Sequence, residues 1–587
     1  MAYEPPPGLL RIEECLDADG DIVLPPGVTL LSLIDRNVAN VADAVAYRYL
    51  DFTASERGVA VEYTWAQLGR RLEAIAARLQ QLTDRGERVA ILAPQGLDYV
   101  AAFFATIKAG NIAVPLFAPE LPGHAERLDT ALRDSTPTVV LTTTAAEAGV
   151  RAFLDKLDLP PQVQTVDTID DSVAKGFAPI EIDVDDVSHL QYTSGSTRAP
   201  VGVEITHRAV GTNLIQMILS IDLLDRDIHG VSWLPLYHDM GLSMIGFPAV
   251  YGGHSTLMSP TAFLRRPLRW ITALSDEARD ARVITAAPNF AYEWAAARGR
   301  PDPASDVDLS NVVMIIGSEP VSPTAIGDFS TAFASFGLAR TAFKPSYGIA
   351  EATLFVATIG PDEQPTVTYF SRRGLEHSDA VVVPATDPDA VAHVACGQVA
   401  RSLTAVIVDT DSASEVSDGR VGEIWLRGAN IGRGYWNRPD DTAATFGAHL
   451  RNRSEAWLRT GDLGVYHSGQ LYITGRRADL MVIDGRQIYP HHVEDTAAGA
   501  SAMVRRGYVT AFSVAGDQVV VIAERAAGHA RADAAPALAA IREAVMARHG
   551  LTVSDVRLVP AGAIPRTTSG KLARRACRAD YLAGVGG

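Results

Sequence analysis

The stretch YTSGSTRAPVGVEITH, Tyr192–His207, gathers the groups that can hold a phosphate. Backbone N–H groups in a glycine-rich turn converge on anions, and serine and threonine hydroxyls add donors. The turn contains no lysine, however, so the positive charge that phosphate chemistry needs must come from elsewhere. The only other phosphate-loop-like run, GKL at 570–572, is not a Walker loop. It lacks the following Ser/Thr, and position 565 is proline where that loop requires glycine. Lysine is scarce throughout: Lys108, Lys156, Lys175, Lys344 and Lys571. Each of them is therefore worth examining.

The elements that must position these groups alternate in type. RVAILAP (88–94), NIAVPLF (111–117) and TVVLTTT (138–144) are short apolar runs that predict buried strands. YTWAQLGRRLEAIAARLQQL (63–82) has the periodicity of an amphipathic helix. Such alternation predicts parallel sheets covered by helices. HLQY and VEIT read as strands on either side of the TSGSTRAPVG loop, with Thr206 or His207 capping a following helix. Later, LYITGRRADLMVIDGRQIYP predicts two strands turning at Asp484–Gly485, with Pro490 opening a helix. YVTAFSV and QVVVIAERA predict a hairpin at Gly516–Asp517, and a helix runs from about Pro536 to His549. This change of texture places a domain boundary near Arg476–Asp479. No internal repeat is found.

The 587 residues suffice for several folding units, and 47% hydrophobic with 21% charged residues is ordinary for a globular protein. A net charge of −17 argues against nucleic-acid binding. Cys15, Cys396 and Cys577 make neither a metal-ligand pattern nor a disulfide framework, which points to a reducing, cytoplasmic setting. The N-terminus has no signal-peptide pattern. The most apolar span, VAAFFATIKAGNIAVPLF, is broken by Lys108, Gly110 and Asn111, and predicts a helix then a strand rather than a membrane span.

Seven motifs occur in order: YTSGST…GV.ITH, WLPLYHDMGL (233–242), PSYGIAEAT (345–353), GEIWLRG (422–428), RTGDLG (459–464), GRRADL (475–480) and PRTTSGKL (565–572). This set, about 380 residues long, resembles the adenylate-forming superfamily of acyl-CoA synthetases, peptide-synthetase adenylation domains and luciferases. Within it the chain most resembles the fatty acyl-AMP ligases. Val201 stands where relatives often carry lysine, and Ala350 where they commonly carry threonine. The segment after Glu351, about 354–383, resembles the ligase group's insertion, thought to hinder rotation into a thioester-forming state.

The resemblance implies an α/β architecture: a large multi-subdomain adenylation domain (1–475, including the insertion) and a small mobile C-terminal α/β lid (476–587). It implies that a fatty acid and ATP give acyl-AMP and pyrophosphate, with the acyl group then passed to an acyl carrier protein of a polyketide synthase, in lipid biosynthesis. A long-chain acyl-CoA synthetase is the alternative. A catalytically inactive binding homologue is a third reading, disfavoured because Glu351, Asp462 and Lys571 are all present.

By the same resemblance, Thr193, Ser194, Gly195, Ser196 and Thr197 cradle the phosphates, with Arg198 nearby. Glu351 binds Mg²⁺, which suits hard oxygen donors. Ser346, Tyr347 and Gly348 lie at the nucleotide, Tyr347 offering a flat face to adenine. The turn Gly317, Ser318, Glu319 and Pro320 offers backbone groups beside the ring. Asp462 accepts the ribose hydroxyls, and Arg476 reaches the same sugar. His238 lines the approach of the acyl carboxylate; as that carboxylate is already ionised, it needs no general base. Lys571 supplies the missing charge, a compact cation on a flexible stem for both the substrate carboxylate and the α-phosphate. Ala478 stands where relatives place a hinge aspartate or lysine.

Overall fold

The computed structural model describes residues 11–25, 27–119, 124–193, 200–221, 223, 227–515, 517–567 and 570–584. Its first layer is a seven-stranded sheet with Arg88–Ile91 near the centre, paired in parallel with Ile112–Pro115 on one side and Val139–Thr142 on the other. All three are the apolar runs expected from sequence, trimmed at their ends. Val187–Tyr192 lies parallel to Ile112–Pro115, and Gly202–Thr206 returns antiparallel to it. The phosphate-type loop therefore joins two hydrogen-bonded neighbours in one sheet. Thr206 accepts a bond from the Ala209 N–H and so caps the helix His207–Ser220.

A nine-stranded sheet forms the second layer, with Val312–Ile316 parallel to both Arg282–Ala287 and Phe343–Gly348. Helices lie between the sheets because their sequences are apolar on more than one face. Every residue of Leu97–Lys108 except the half-buried Asp98 is buried, and its one cation reaches Asp35 at 2.6 Å. Trp65–Gln80 begins with a capping box between Thr64 and Gln67. No helix among the described residues is long and apolar enough to cross a membrane. A third, antiparallel sheet carries Gly422–Gly428, Ala456–His467 and Gln470–Arg476.

From residue 481 a separate core begins, built from Met481, Val493, Val521, Ile541 and neighbours no later than Val556. It is covered by the helices Pro490–Gly499 and Ala535–His549 and includes a three-stranded sheet of Val504–Val514, Gln518–Arg525 and Val553–Val559. The expected turn at Asp484–Gly485 joins Met481–Ile483 to Arg486–Ile488, with φ of 50° and 77°. Two successive positive values make the tight hairpin turn that Asp-Gly favours. LYITGR, read as part of the same hairpin, instead completes the large antiparallel sheet as Gln470–Arg476. In the second expected hairpin, Asp517 is described and Gly516 lies outside the described residues.

The segment 354–383 does not start as an appendage. Phe355–Thr358 is a strand of the nine-stranded sheet, antiparallel to Phe343–Gly348. Only beyond it does the chain leave the sheet, forming Val367–Ser371, a short helix Arg372–Leu375 and a return to Ala390–Val394. Phe370, Leu375 and Ala380 pack with Leu463, Val465 and Tyr472, and with Tyr489 from the C-terminal unit. Polar contacts follow the same seam. The Gln487 N–H donates to the Glu376 carbonyl at 3.2 Å, Arg486 lies 3.5 Å from the Glu376 carboxylate, and Arg548 donates to the Ala390 carbonyl at 3.0 Å.

Candidate active site

A cavity of about 340 Å³ opens where the two large sheets meet the C-terminal unit. Thr193, His238, Gly317, Ser318, Ser346, Tyr347, Gly348, Glu351, Arg476 and Lys571 line it, joining residues up to 378 positions apart in the chain. Ser194, Gly195, Ser196, Thr197 and Arg198 lie outside the described residues. Thr193 is anchored through its N–H to the Val201 carbonyl at 3.0 Å.

Apolar side chains, among them Met217, Trp233, Phe247, Leu264 and Phe290, share the wall with polar ones that include Gln191, Asp239, Ser243 and Asp441. A second cavity of about 40 Å³ shares Met217 and Leu354 with the first and is lined by Phe103, Phe104 and Leu242. The space thus brings ionic groups and hydrocarbon walls together.

Strand pairing builds the polar end. Asp462 and Arg476 are direct cross-strand partners in the hairpin of Ala456–His467 and Gln470–Arg476. Arg476 Nε donates to Asp462 Oδ1 at 2.9 Å, and the Tyr347 hydroxyl donates to Oδ2 at 2.8 Å. Asp462 is buried behind these two rather than on the cavity wall. Each oxygen keeps a further lone pair, so the carboxylate still has acceptor capacity for a diol. Burial beside Asp462 raises the Tyr347 hydroxyl well above its ordinary pKa, which keeps it a donor.

Glu351 sits in a short 3₁₀ turn after the strand Phe343–Gly348, and the Tyr435 hydroxyl donates to its Oε1 at 2.8 Å. Burial pushes this carboxyl above the usual range. A hard cation bound beside it would offset that effect, and a carboxylate completed by phosphate oxygens and water is a donor set that suits Mg²⁺.

Lys571 follows Gly570, whose φ of 83° favours glycine, and its N–H donates to Thr567 Oγ1 at 3.1 Å. Burial lowers the pKa of the ammonium, Arg476 adds to the effect, and Asp239, Glu319 and Asp462 oppose it. Among the described residues no hydrogen bond or ion pair occupies Nζ. The charge missing from the phosphate-type loop therefore lies on the same cavity wall, brought there from the C-terminal unit.

The 317–320 turn is only partly at the wall. A Cβ on Gly317 would come within 2.6 Å of the Ser346 carbonyl, which is why glycine stands there, and Ser318 has a φ of 74°. Glu319 instead accepts from the Asn289 N–H at 3.1 Å, and the Pro320 carbonyl accepts from the Asn289 side chain at 2.8 Å. His238 precedes the helix Asp239–Tyr251, and its ring centroid lies 4.8 Å from that of Tyr237.

Sequence reasoning missed Tyr435 and Asp239. Asp239 was visible within LPLYHDMGL, but nothing in the chain order placed it across from Lys571. Tyr435 lies in a two-residue strand against Gly202–Thr206, a pairing that only the fold supplies.

Residues 34–436 match the AMP-binding enzyme family. This chain belongs to it, and within it to the fatty acyl-AMP ligases. It is similar to the long-chain-fatty-acid–AMP ligase FadD32 of Mycolicibacterium smegmatis, at 46% identity over 96% of each chain. A 4-hydroxyphenylalkanoate adenylyltransferase of Mycobacterium tuberculosis is 38% identical over 94% of this chain and 92% of its own. Among solved structures, a fatty acyl-adenylate ligase from L. pneumophila in complex with acyl adenylate and pyrophosphate matches with a TM-score of 0.73. Its identity is 30%, and the match covers 94% of this chain and 96% of that one. The mixed α/β architecture with a smaller C-terminal unit is the one shared with these enzymes.

Proposed function

We propose that this AMP-binding enzyme is an ATP-dependent fatty acyl-AMP ligase that converts a fatty acid and ATP to acyl-AMP and pyrophosphate, then passes the acyl group to a carrier-protein thiol. The observation that carries this reading is one cavity whose wall holds Lys571, Arg476 and Glu351 together with the apolar side chains Trp233, Phe247 and Phe290.

The chemistry is nucleophilic substitution at the α-phosphorus by an ionised carboxylate. Both reactants are anions, so catalysis is positioning and charge neutralisation. In this reading Lys571 spans the entering carboxylate oxygen and the α-phosphate. Asp462 and Arg476 hold the ribose, while Tyr347, Ser346, Gly348 and the Gly317–Ser318 turn flank the base. Thr193 opens the phosphate loop and His238 lines the carboxylate path. Glu351, steadied by Tyr435, would hold Mg²⁺, which supplies charge neutralisation for the phosphates.

We place the mobile lid at 476–587. The Arg477–Asp479 turn that would act as its hinge is braced by Asp479, 3.1 Å from Arg574. Contacts along the 359–394 seam favour the orientation that delivers Lys571, and so favour adenylation. The acceptor proposed is a carrier protein of a polyketide synthase, and the setting the cytoplasm.

Incubating the enzyme with ATP, Mg²⁺ and fatty acids of graded length tests this. Pyrophosphate release with acyl-AMP detected by mass supports it, and no adenylate with any acyl chain overturns it.

A further inference from the structure

Away from the cavity, three imidazoles meet where the strand Ala390–Val394 packs on the lid helix Pro490–Gly499. Nitrogens of His393, His491 and His492 lie within 4.8 Å of one another. Ring centroids are 5.8 Å apart for His393 and His492, and 4.3 Å for His491 and His492. His393 is only 6% exposed, and neither of its ring nitrogens has a hydrogen-bond partner among the described residues. The Val391 carbonyl approaches the ring without hydrogen-bond geometry. Burying a polar ring with both nitrogens unsatisfied is unfavourable unless something else binds there.

A second cluster shows the contrast. In His229, His254 and Glu277, the carboxylate is bonded to both imidazoles at 2.8 Å and to Thr256 at 2.6 Å. That network is satisfied by itself and needs no ion.

The surroundings of the three-histidine cluster do not repel a cation as strongly as their composition suggests. The nearby Arg372 is paired with Glu376 and, at 2.9 Å, with Asp389. Arg574 is paired with Glu494 at 2.6 Å and with Asp479 at 3.1 Å. An all-imidazole set selects zinc, copper or nickel over the hard Mg²⁺ used in adenylation.

We propose that His393, His491 and His492 form a transition-metal site of the zinc class, with water completing the coordination, that ties the strand beside the insertion to the lid helix. The full-length protein, stripped with a chelator, tests this by calorimetric titration with Zn²⁺ and by the visible absorption of Co²⁺. The expected result is one site per chain, a tetrahedral Co²⁺ spectrum, and a Zn²⁺-dependent rise in Tm. His393→Ala and His491→Ala should each weaken binding at least about tenfold and lose the rise in Tm. His393→Asn, checked by circular dichroism, serves if the alanine variant does not fold. Absence of a stoichiometric site in the wild type overturns the proposal. So does unchanged binding in a folded His393 variant, or a site abolished by His254→Gln, which would assign the metal to the other cluster.

Discussion

Replacing Lys571 with alanine removes the one cation that reaches the cavity from the C-terminal unit without a partner on its Nζ among the described residues. What remains facing that position is Arg476, already bonded to Asp462, and the carboxylates of Asp239 and Glu319. Two anionic substrates must meet there. A unit charge about 4 Å from a phosphate oxygen contributes roughly 4 kcal/mol at an effective dielectric of about 20. Allowing for solvent in the open cleft leaves about 3 kcal/mol, a loss of more than about a hundredfold in kcat/KM for acyl-AMP formation. Pyrophosphate release under single-turnover conditions is the assay, with ATP binding measured separately to show that the fold and nucleotide site persist. The lysine must be charged to act, and burial beside Arg476 holds its pKa below the ordinary 10.5. The active form is therefore present below that lowered pKa and lost above it, so kcat/KM falls on an alkaline limb that starts earlier than a free lysine would give. Lys571→Arg should recover part of the rate and abolish the limb. Adenylation by Lys571→Ala within about threefold of wild type would refute the role.

Three further outcomes follow from the same geometry. Asp462→Asn weakens the charge-assisted bonds from Arg476 and Tyr347 and should raise the KM for ATP about tenfold or more; an unchanged KM returns Asp462 to a purely structural place in its hairpin. Tyr435→Phe removes the hydroxyl that donates to Glu351 Oε1, worth about 1 kcal/mol, and should raise the Mg²⁺ concentration for half-maximal rate about fivefold, which a magnesium titration reads directly. Arg486→Ala combined with Arg548→Ala cuts two polar ties between the C-terminal unit and the 359–394 seam. A bias of about 1.4 kcal/mol shifts a two-state ratio tenfold, so under the proposed lid motion acyl transfer to an added thiol acceptor should rise by up to about that factor, and an unchanged transfer rate would separate the seam from control of transfer.

Much of this architecture is legible in the chain because the local signals agree with the global fold. Short apolar runs such as RVAILAP are central parallel strands, and Thr206 caps the helix that follows it, as its type predicts. Asp462 and Arg476 are fourteen residues apart, close enough for one hairpin to bring them together. Phe355–Thr358 was assigned with the insertion because the sequence carries no mark where a strand leaves a sheet edge. The alliances of Tyr435 with Glu351 and of Asp239 with Lys571 span 84 and 332 positions and depend wholly on tertiary packing. His393 lies about a hundred residues from His491 and His492, so no spacing rule for metal ligands could group them.

The central claim is that this cavity joins a fatty carboxylate to AMP and that the lid contacts favour stopping there. Its most direct test is the product formed by the intact enzyme from a fatty acid, ATP and Mg²⁺ with coenzyme A in excess, separated and identified by mass. The account predicts that acyl-AMP accumulates with pyrophosphate, that little acyl-CoA forms, and that added carrier protein is acylated. Efficient acyl-CoA synthesis by the intact enzyme would contradict it.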